Sequence, residues 1–475
     1  MDVQISNMSG FQSSIHPLPN EILSEVFIHY VFSFHPSLNT SDWVALKLGH
    51  ICSRWRVVAL GSQNIWSSIF IHITTPNKKI IPLPRGILPL VNLYLERSNA
   101  ALLEIVLDHI SMPILSLLMA HSRRWRRADF VIDKRFLGTK EDQDSSPISA
   151  LRDDIPVLEH LRISMDGYLD RGHNPFNTTF NYFESAPKLS SLDVQFDSIF
   201  FTLDSLNFPW QNLISLTITC VGAIQIKPLL SLCPKLEQAD FRFYGYPAVI
   251  HSPHSGLFVN TTLKRLTIES SEDPSQLCMN SWVLPSLEEV SLASVSPVSV
   301  QDITQMLERS NCSTIHSLSF TNHSWTSEQL LRLFINTPLL RHLKLMNTAI
   351  DRYTTFDDWL LHEMTYPDPD PNTTTTGSFP ARREQLLPRL EKFIYLATKT
   401  STINWRVLVT MIVSRSHGSP SGAAALKAGM AILSCVHLGR IEFGLSLPRL
   451  DETSMQNVRK LEDEGMEIST QGFEW

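Results

Sequence analysis

Pro156-Val157-Leu158-Glu159-His160-Leu161-Arg162-Ile163 is the phrase that decides the fold. Leu158, Leu161 and Ile163 follow one another at steps of three and two. The step of two is the period of a strand, in which alternate side chains share a face. The same spacing returns at Leu189/Leu192/Val194, Leu213/Leu216/Ile218, Leu236/Ala239/Phe241 and Leu263/Leu266/Ile268. Further copies stand at Leu287/Val290/Leu292, Ile315/Leu318/Phe320 and Leu340/Leu343/Leu345, with a weaker ninth at Leu390/Phe393/Tyr395. From Leu158 to Leu340 the first positions are 31, 24, 23, 27, 24, 28 and 25 residues apart. A proline often precedes by two residues, as at Pro187, Pro234, Pro285 and Pro338. Proline stops a helix and leads into extended chain.

Helical phrases fill the intervals, such as Thr304-Gln305-Met306-Leu307-Glu308 and Glu328-Gln329-Leu330-Leu331-Arg332-Leu333-Phe334. One strand and one helix cannot bury their own apolar faces, but a stack of such pairs can. The period is close to that of leucine-rich repeats, which the copies resemble without a fixed Asn or Cys. The expected fold class is α/β, an irregular leucine-rich-repeat solenoid or horseshoe over 151–475. A non-repetitive α/β domain is the competing reading. The Pro-, Thr- and Asp-rich stretch 365–380 reads as a flexible loop and accounts for the long step from Leu340 to Leu390. A second break is expected at 416–422. The stretch 458–470 reads as a final helix, a glycine turn and a last strand that caps the array. Residues 71–150 read as linker or atypical first repeats, with a helix at 88–98, a strand at 103–108 and a helix at 113–121.

Residues 15–70 have a different pattern, and 1–14 read as a disordered N-terminus. Leu18-Pro19-Asn20-Glu21 is a helix start, because proline is tolerated in a first turn and Glu21 suits the positive end of the helix dipole. Ile22, Leu23, Val26 and Phe27 follow as one helical stripe. Leu48, Ile51, Cys52, Trp55, Val58 and Ala59 are spaced as a second helix, and Trp66 closes a third short segment after Gly61. Three short helices in so few residues bury little core and tend to borrow a partner surface.

This stretch resembles the F-box, the adaptor-binding module of cullin-RING ubiquitin ligases. Leu18, Pro19, Glu21, Ile22, Leu23, Val26 and Phe27 match its first helix. Ile51-Cys52-Ser53-Arg54-Trp55-Arg56 match its V-C-x-x-W-R core, and Ile65-Trp66 its closing L-W. The detail is similar to fungal members, whose L-E-R-S, strand, helix, R-W phrase also recurs at residues 95–125. Asn64 stands where proline is common, and 33–42 form an unusually long loop. The resemblance implies a three-helix F-box module that docks onto a Skp-type adaptor hung from a cullin and RING scaffold. It implies adaptor contacts from Leu18, Pro19, Ile22, Leu23, Val26, Phe27, Ile51, Cys52 and Trp55, some of which must instead hold the helices together. The implied function is a substrate-recognition subunit of a Skp–cullin–F-box type E3 ubiquitin ligase that holds a target protein on its repeats. The alternative is a leucine-rich-repeat interaction scaffold outside the ubiquitin system.

Composition narrows the remaining classes. The chain has 475 residues, too many for one compact core. Charged residues make up 18% and the formal net charge is −7, which argues against general nucleic-acid or anionic-membrane binding. The longest apolar runs, 114–120 and 405–413, are well short of a membrane span. Six cysteines at 52, 220, 233, 278, 312 and 435 form no C-x-x-C pair, so they read as buried thiols of a reducing compartment. The first residues lack a basic and then apolar leader, and the expected location is cytoplasmic and/or nuclear.

Chemistry is sparsely supplied. Gly418-Ser419-Pro420-Ser421-Gly422 has proline where a nucleophile elbow needs serine. Phosphate-binding glycine loops and H-E-x-x-H are missing. His50 and Cys52 alone do not make a metal site. No catalytic residue, metal or cofactor is expected. Arg123-Arg124-Trp125-Arg126-Arg127 could contact phosphate or an acidic peptide, or could simply end a helix. On a horseshoe the outward strand positions face the concave side, and the charged ones are Arg162, Asp193, Asp240, Arg242, Glu269 and Lys344. Mixed signs there favour a specific protein surface over a polyionic ligand.

Overall fold

A computed structural model describes residues 18–33, 43–71, 86–108, 111–132, 154–165, 180–196, 206–219, 223–243, 256–270, 277–294, 299–312, 314–321, 325–346, 357–366, 385–397, 404–440 and 452–471. The expected disorder of 1–14 lies outside these residues, as does 367–380 of the expected loop. The chain divides into two compact units, 1–198 with 204–212, and 199–203 with 213–475.

The first unit opens with α1 (Asn20–Ser33), α2 (Val44–Ile51), α3 (Ser53–Gly61) and a 3-10 turn at Gln63–Trp66. There follow β1 (Ser68–Ile71), α4 (Ile87–Ser98), β2 (Leu103–Leu107), α5 (Met112–Met119), a 3-10 turn at Ser122–Arg124 and β3 (Trp125–Ile132). β4 (His160–Met165) and β5 (Ser191–Phe196) complete a parallel sheet in strict sequence order. Between 71 and 150 the described strands β2 and β3 belong to this sheet. Trp66/Ile69/Ile71 and Trp125/Ala128/Phe130 have the same steps of three and two as the later copies, and all six are buried. Between β2 and β3 the register shifts by one, with Leu103 facing Trp125 and Glu104 facing Arg127, so Arg126 is an extra residue on β3.

The second unit contains β6 (Ser215–Thr219), α6 (Ala223–Leu232), β7 (Gln238–Phe243), β8 (Phe258–Val259), β9 (Arg265–Ser270), β10 (Trp282–Val283) and β11 (Glu289–Ser294). Then come α7 (Val300–Ser310), β12 (Ser317–Thr321), α8 (Ser327–Ile335), β13 (His342–Met346) and α9 (Asp358–Met364). The chain ends with β14 (Lys392–Ala397), α10 (Trp405–Ser414), α11 (Pro420–Lys427), β15 (Cys435–Arg440), α12 (Glu452–Asp463) and β16 (Glu467–Gln471). Nine of these strands form a parallel sheet in sequence order, and β8 pairs with β10 separately.

Pairing register shows why the repeat phrase builds this sheet. Leu216, Ala239, Leu266, Val290, Leu318, Leu343, Phe393, Val436 and Ile468 each face the next across the strands. The second apolar position of each copy thus stacks on its equivalent. Ile218, Phe241, Ile268, Leu292, Phe320, Leu345, Tyr395 and Leu438 form a second buried row. Each fully buried side chain of this size contributes about 1.5–3 kcal/mol. One-residue slips are disfavoured because they would turn a whole strand's apolar set outward.

Leu433/Val436/Leu438 is a further buried copy, leading into β15, that lacks the preceding proline. The expected break at 416–422 is a helix start. The Ser419 hydroxyl accepts the Gly422 N–H at 2.8 Å, and Pro420 occupies the first helical position of α11. Gly465, at φ +89, turns the chain from α12 into β16, a conformation costly for any residue with a Cβ. Thr365 and Tyr366, placed in the loop by composition, are described, and Tyr366 is 1% exposed.

Candidate partner-binding surfaces

The helices of the N-terminal module have two apolar sides. Leu23, Phe27 and Val31 recur every fourth residue on α1 and are buried. Ile22, Val26 and Tyr30 recur the same way one residue earlier and are exposed, Ile22 at 49%. The single stripe expected from the sequence is therefore two adjoining stripes with opposite duties. Leu23 and Phe27, expected among the adaptor contacts, have their side chains inside the module. Phe27 packs on Trp55 of α3, with ring centroids 4.7 Å apart.

The same division continues in α2 and α3. Val58 and Ala59 point inward, while Ile51, Val57 and Leu60 are exposed. Pro19 is exposed and stands just before α1, its carbonyl accepting the Leu23 N–H at 3.0 Å. Leu18 is half-buried, and its carbonyl accepts from the Arg54 guanidinium. Arg54 Nε also donates to Asn20 Oδ1 at 3.1 Å, so α3 holds the start of α1.

Cys52 does not lie within a helix. Its backbone is extended, it separates α2 from α3, and its thiol accepts the Trp55 N–H at 3.4 Å. The helical spacing of Ile51, Cys52 and Trp55 runs straight across this junction, which is why the sequence reads as one helix. Arg56 Nε returns to the Gly49 carbonyl at 2.9 Å and fixes the angle between the pieces. Trp66 Nε1 donates to the Ala59 carbonyl at 2.8 Å, and Tyr94 of α4 lies edge-on between Trp43 and Trp66. Tyr30, Val57 and Leu60 were not among the expected contacts. The signal for Tyr30 was the second spacing of four, Ile22-Val26-Tyr30, alongside the first; Val57 and Leu60 carry no such signal.

On the sheets, the charged outward residues are matched mostly with one another. In the first unit Arg162 lies 3.8 Å from Asp129 and 3.4 Å from Asp193. Burial pushes the Asp129 carboxyl above its ordinary range, while Arg162 and Arg127 oppose that and Asp193 adds to it. In the second unit Arg242 pairs with Asp240 at 3.0 Å and with Glu269 at 3.7 Å. Lys344, flanked by Ser319 and Ile394, has no carboxylate at ion-pair distance among the described residues. Half-exposed ion pairs of this kind add little stability. They do present alternating charge in a fixed pattern.

Arg123–Arg127 runs from the end of the 3-10 turn at Ser122–Arg124 into β3, with Trp125 packed inward as a helix end would have it. Trp125 is fully buried, with Nε1 donating to the Leu118 carbonyl at 3.2 Å. Arg124 donates to the Ala101 carbonyl and to Ser98 Oγ, Arg126 pairs with Glu104, and Arg123 with Asp154. These side chains brace β3 against its neighbours. A hollow of about 470 Å³ in the second unit is lined by Thr314, His316, Leu339, Arg341 and Arg389. Arg341 is already paired with Glu391 at 3.7 Å, and His316 Nε2 lies 3.5 Å from Glu289 Oε1.

The cysteines are not uniformly buried: Cys52 and Cys278 are half-buried, and Cys233, Cys312 and Cys435 are inside. One group among the described residues, Cys435, His437 and Glu467, brings three metal-binding side chains together. No helix among the described residues is long and apolar enough to cross a membrane.

No protein-family model and no curated protein matches the chain. Among solved structures, a protein from Bacteroides fragilis is 10% identical over 73% of this chain and 74% of its own, with a TM-score of 0.30. A chain of the Rad7 and Elc1 complex in yeast is 14% identical over 78% of this chain and 97% of its own, with a TM-score of 0.34. Overlaps this loose carry no argument about function. The chain is a mixed α/β protein in which in-register parallel strands repeat along the sequence.

Proposed function

We propose that this chain is a non-catalytic substrate receptor of a Skp–cullin–F-box type ubiquitin ligase, working in the cytoplasm or nucleus. The module of 15–70 docks onto the Skp-type adaptor, and the outward faces of the repeats hold a target protein. The observation that carries this reading is the exposed ridge Ile22-Val26-Tyr30 on a helix whose other side is packed by Leu23 and Phe27. A rigid helix with uncovered apolar side chains is suited to a partner's groove. The ridge adjoins the Leu18-Pro19 start, within the segment whose sequence resembles the F-box. The fixed Asp–Arg–acid patterns on the sheets suit recognition of a shaped protein surface. Ubiquitin transfer then follows from proximity, the target's lysines being held near a charged E2. No residue of this chain needs to touch the reacting bond.

The test is a pull-down of a purified Skp-type adaptor by the intact chain, beside an Ile22→Asp/Val26→Asp variant and a Leu18→Ala/Pro19→Ala variant. Ile22, Val26 and Pro19 are exposed and Leu18 is half-buried, so circular dichroism should be unchanged for the first variant and is recorded for both. Binding by the intact chain that Ile22→Asp/Val26→Asp abolishes is the expected result. A folded intact chain that ignores the adaptor would overturn the ligase reading and leave a repeat scaffold outside the ubiquitin system.

A further inference from the structure

β15 and β16 bring three different ligand types to one point of the second unit. Cys435 and His437 are two residues apart on β15 and therefore share a face. Glu467 of β16 stands opposite Cys435 in the parallel register, and Ser469 opposite His437. The thiol sulfur, an imidazole nitrogen and a carboxylate oxygen lie within 4.8 Å of one another. His437 Nε2 is 3.8 Å from Glu467 Oε1. That nitrogen is shielded from solvent and has no hydrogen-bond partner. A shielded polar atom without a partner needs an explanation, and a bound ion is a common one.

We propose that Cys435, His437 and Glu467 hold a divalent transition-metal ion of the zinc class, with water as the fourth ligand. Thiolate, imidazole and carboxylate together suit a borderline-soft ion, whereas calcium and magnesium prefer all-oxygen sites. Tetrahedral ligands about 2.0–2.3 Å from zinc stand about 3.3–3.8 Å from one another. The separation of His437 and Glu467 already falls there, the mostly exposed Glu467 side chain can turn toward Cys435, and Cys435 and His437 need approach by no more than about 1.5 Å through small side-chain rotations. Burial holds the Cys435 thiol above its usual range, with Glu467 adding to this and Lys392 opposing it. Metal entry displaces that thiol proton to solvent. The resulting thiolate and carboxylate carry two negative charges against the ion's two positive ones. Lys392, opposite Cys435 on β14, stabilises the thiolate and weakens the cation, so it sets affinity without supplying a ligand. The consequence is a clamp between the last two strands of the sheet.

Cobalt(II) is the probe, added to the intact chain under reducing conditions. The expected result is a near-ultraviolet thiolate-to-cobalt charge-transfer band that saturates at one equivalent and is bleached by zinc(II). Cys435→Ser should lose the band, and Glu467→Gln should weaken binding by roughly tenfold or more. Glu467 is exposed, so its variant remains folded and decides the matter even where Cys435→Ser does not fold. No band with the intact chain, or a Glu467→Gln titration identical to that of the intact chain, would overturn the site.

Discussion

The Arg415 guanidinium lies 4.2 Å over the ring of Tyr366, fully buried, with no carboxylate beside it among the described residues. Its donors go to main-chain oxygens: Met364 at 2.6 Å, Leu386 at 2.6 Å and Leu387 at 2.9 Å. The Tyr366 hydroxyl accepts a longer bond from Nη1 and donates to the Ala431 carbonyl at 2.7 Å. Burial pulls the Arg415 pKa down, and the polarised ring and carbonyls offset part of that cost. One side chain thus ties the end of α10 to both flanks of 367–384. A low-complexity insertion can then interrupt the repeats without parting the sheet.

Arg415→Met keeps most of the volume and leaves three buried carbonyls without donors. Each such orphan costs about 1–3 kcal/mol. The expected loss is about 3–5 kcal/mol in urea unfolding of the intact chain. Arg415→Lys should fall between the two, because an ammonium reaches fewer of the acceptors. A loss below about 1 kcal/mol for the Met variant would show that water replaces the donors.

Asp129 gives a pH dependence opposite in sign to that of an ordinary salt-bridged carboxylate. Its folded pKa is raised, chiefly by burial, so the folded state binds its proton more tightly than the unfolded state does. The contribution of Asp129 to stability is then greatest below the unfolded carboxylate range, about pH 4, and falls as pH rises through the folded value. Arg162 is the largest influence opposing that rise. Arg162→Met should push Asp129 higher still and steepen the loss of thermal stability as pH rises above about 4. Parallel melting profiles for variant and parent would show that Asp129 does not feel Arg162.

Much of the architecture was legible because one physical constraint repeats. Steps of three and two place a turn residue and two strand residues on the same side, and parallel pairing stacks equivalents. That is why Leu158, Leu263 and Leu340 announce β4, β9 and β13. The proline cue was less general. It precedes neither Leu433 nor Trp125, and it is equally missing before Leu213, Leu263 and Ile315, where the spacing alone marks the copy. Cys52 was misread for a different reason: apolar periodicity reports which side of a chain is buried, not whether the helix is continuous. Which of Ile22 and Leu23 faces inward was also illegible, since both belong to apolar series of step four. The convergence of Cys435 and His437 with Glu467 depends on pairing between strands, and no local spacing encodes it.

Cys52 should behave as a helix cap. Cys52→Ala removes the acceptor of the Trp55 N–H and should cost about 1 kcal/mol. Cys52→Ser supplies a better oxygen acceptor at the same place and should match or exceed the parent. Thermal unfolding of the two variants side by side is the check. Equal losses in both would mean that the thiol's packing matters more than its hydrogen bond.

Leu23 and Ile22 are adjacent, similar in size, and predicted to fail in opposite assays. Leu23 is wholly buried, so Leu23→Ala opens a cavity and should cost about 2–5 kcal/mol. Ile22 is half exposed, so Ile22→Ala should change stability by no more than about 0.5 kcal/mol. In adaptor binding the order reverses: Ile22→Ala removes a contact surface from a module that is otherwise intact. Leu23→Ala should bind in proportion to the fraction of module that remains folded, and lowering the temperature should restore it. Loss of binding in Ile22→Ala with unchanged unfolding would separate the ridge from the core. Loss of stability in Ile22→Ala comparable to that of Leu23→Ala would place Ile22 inside the module and remove the ridge as a docking surface.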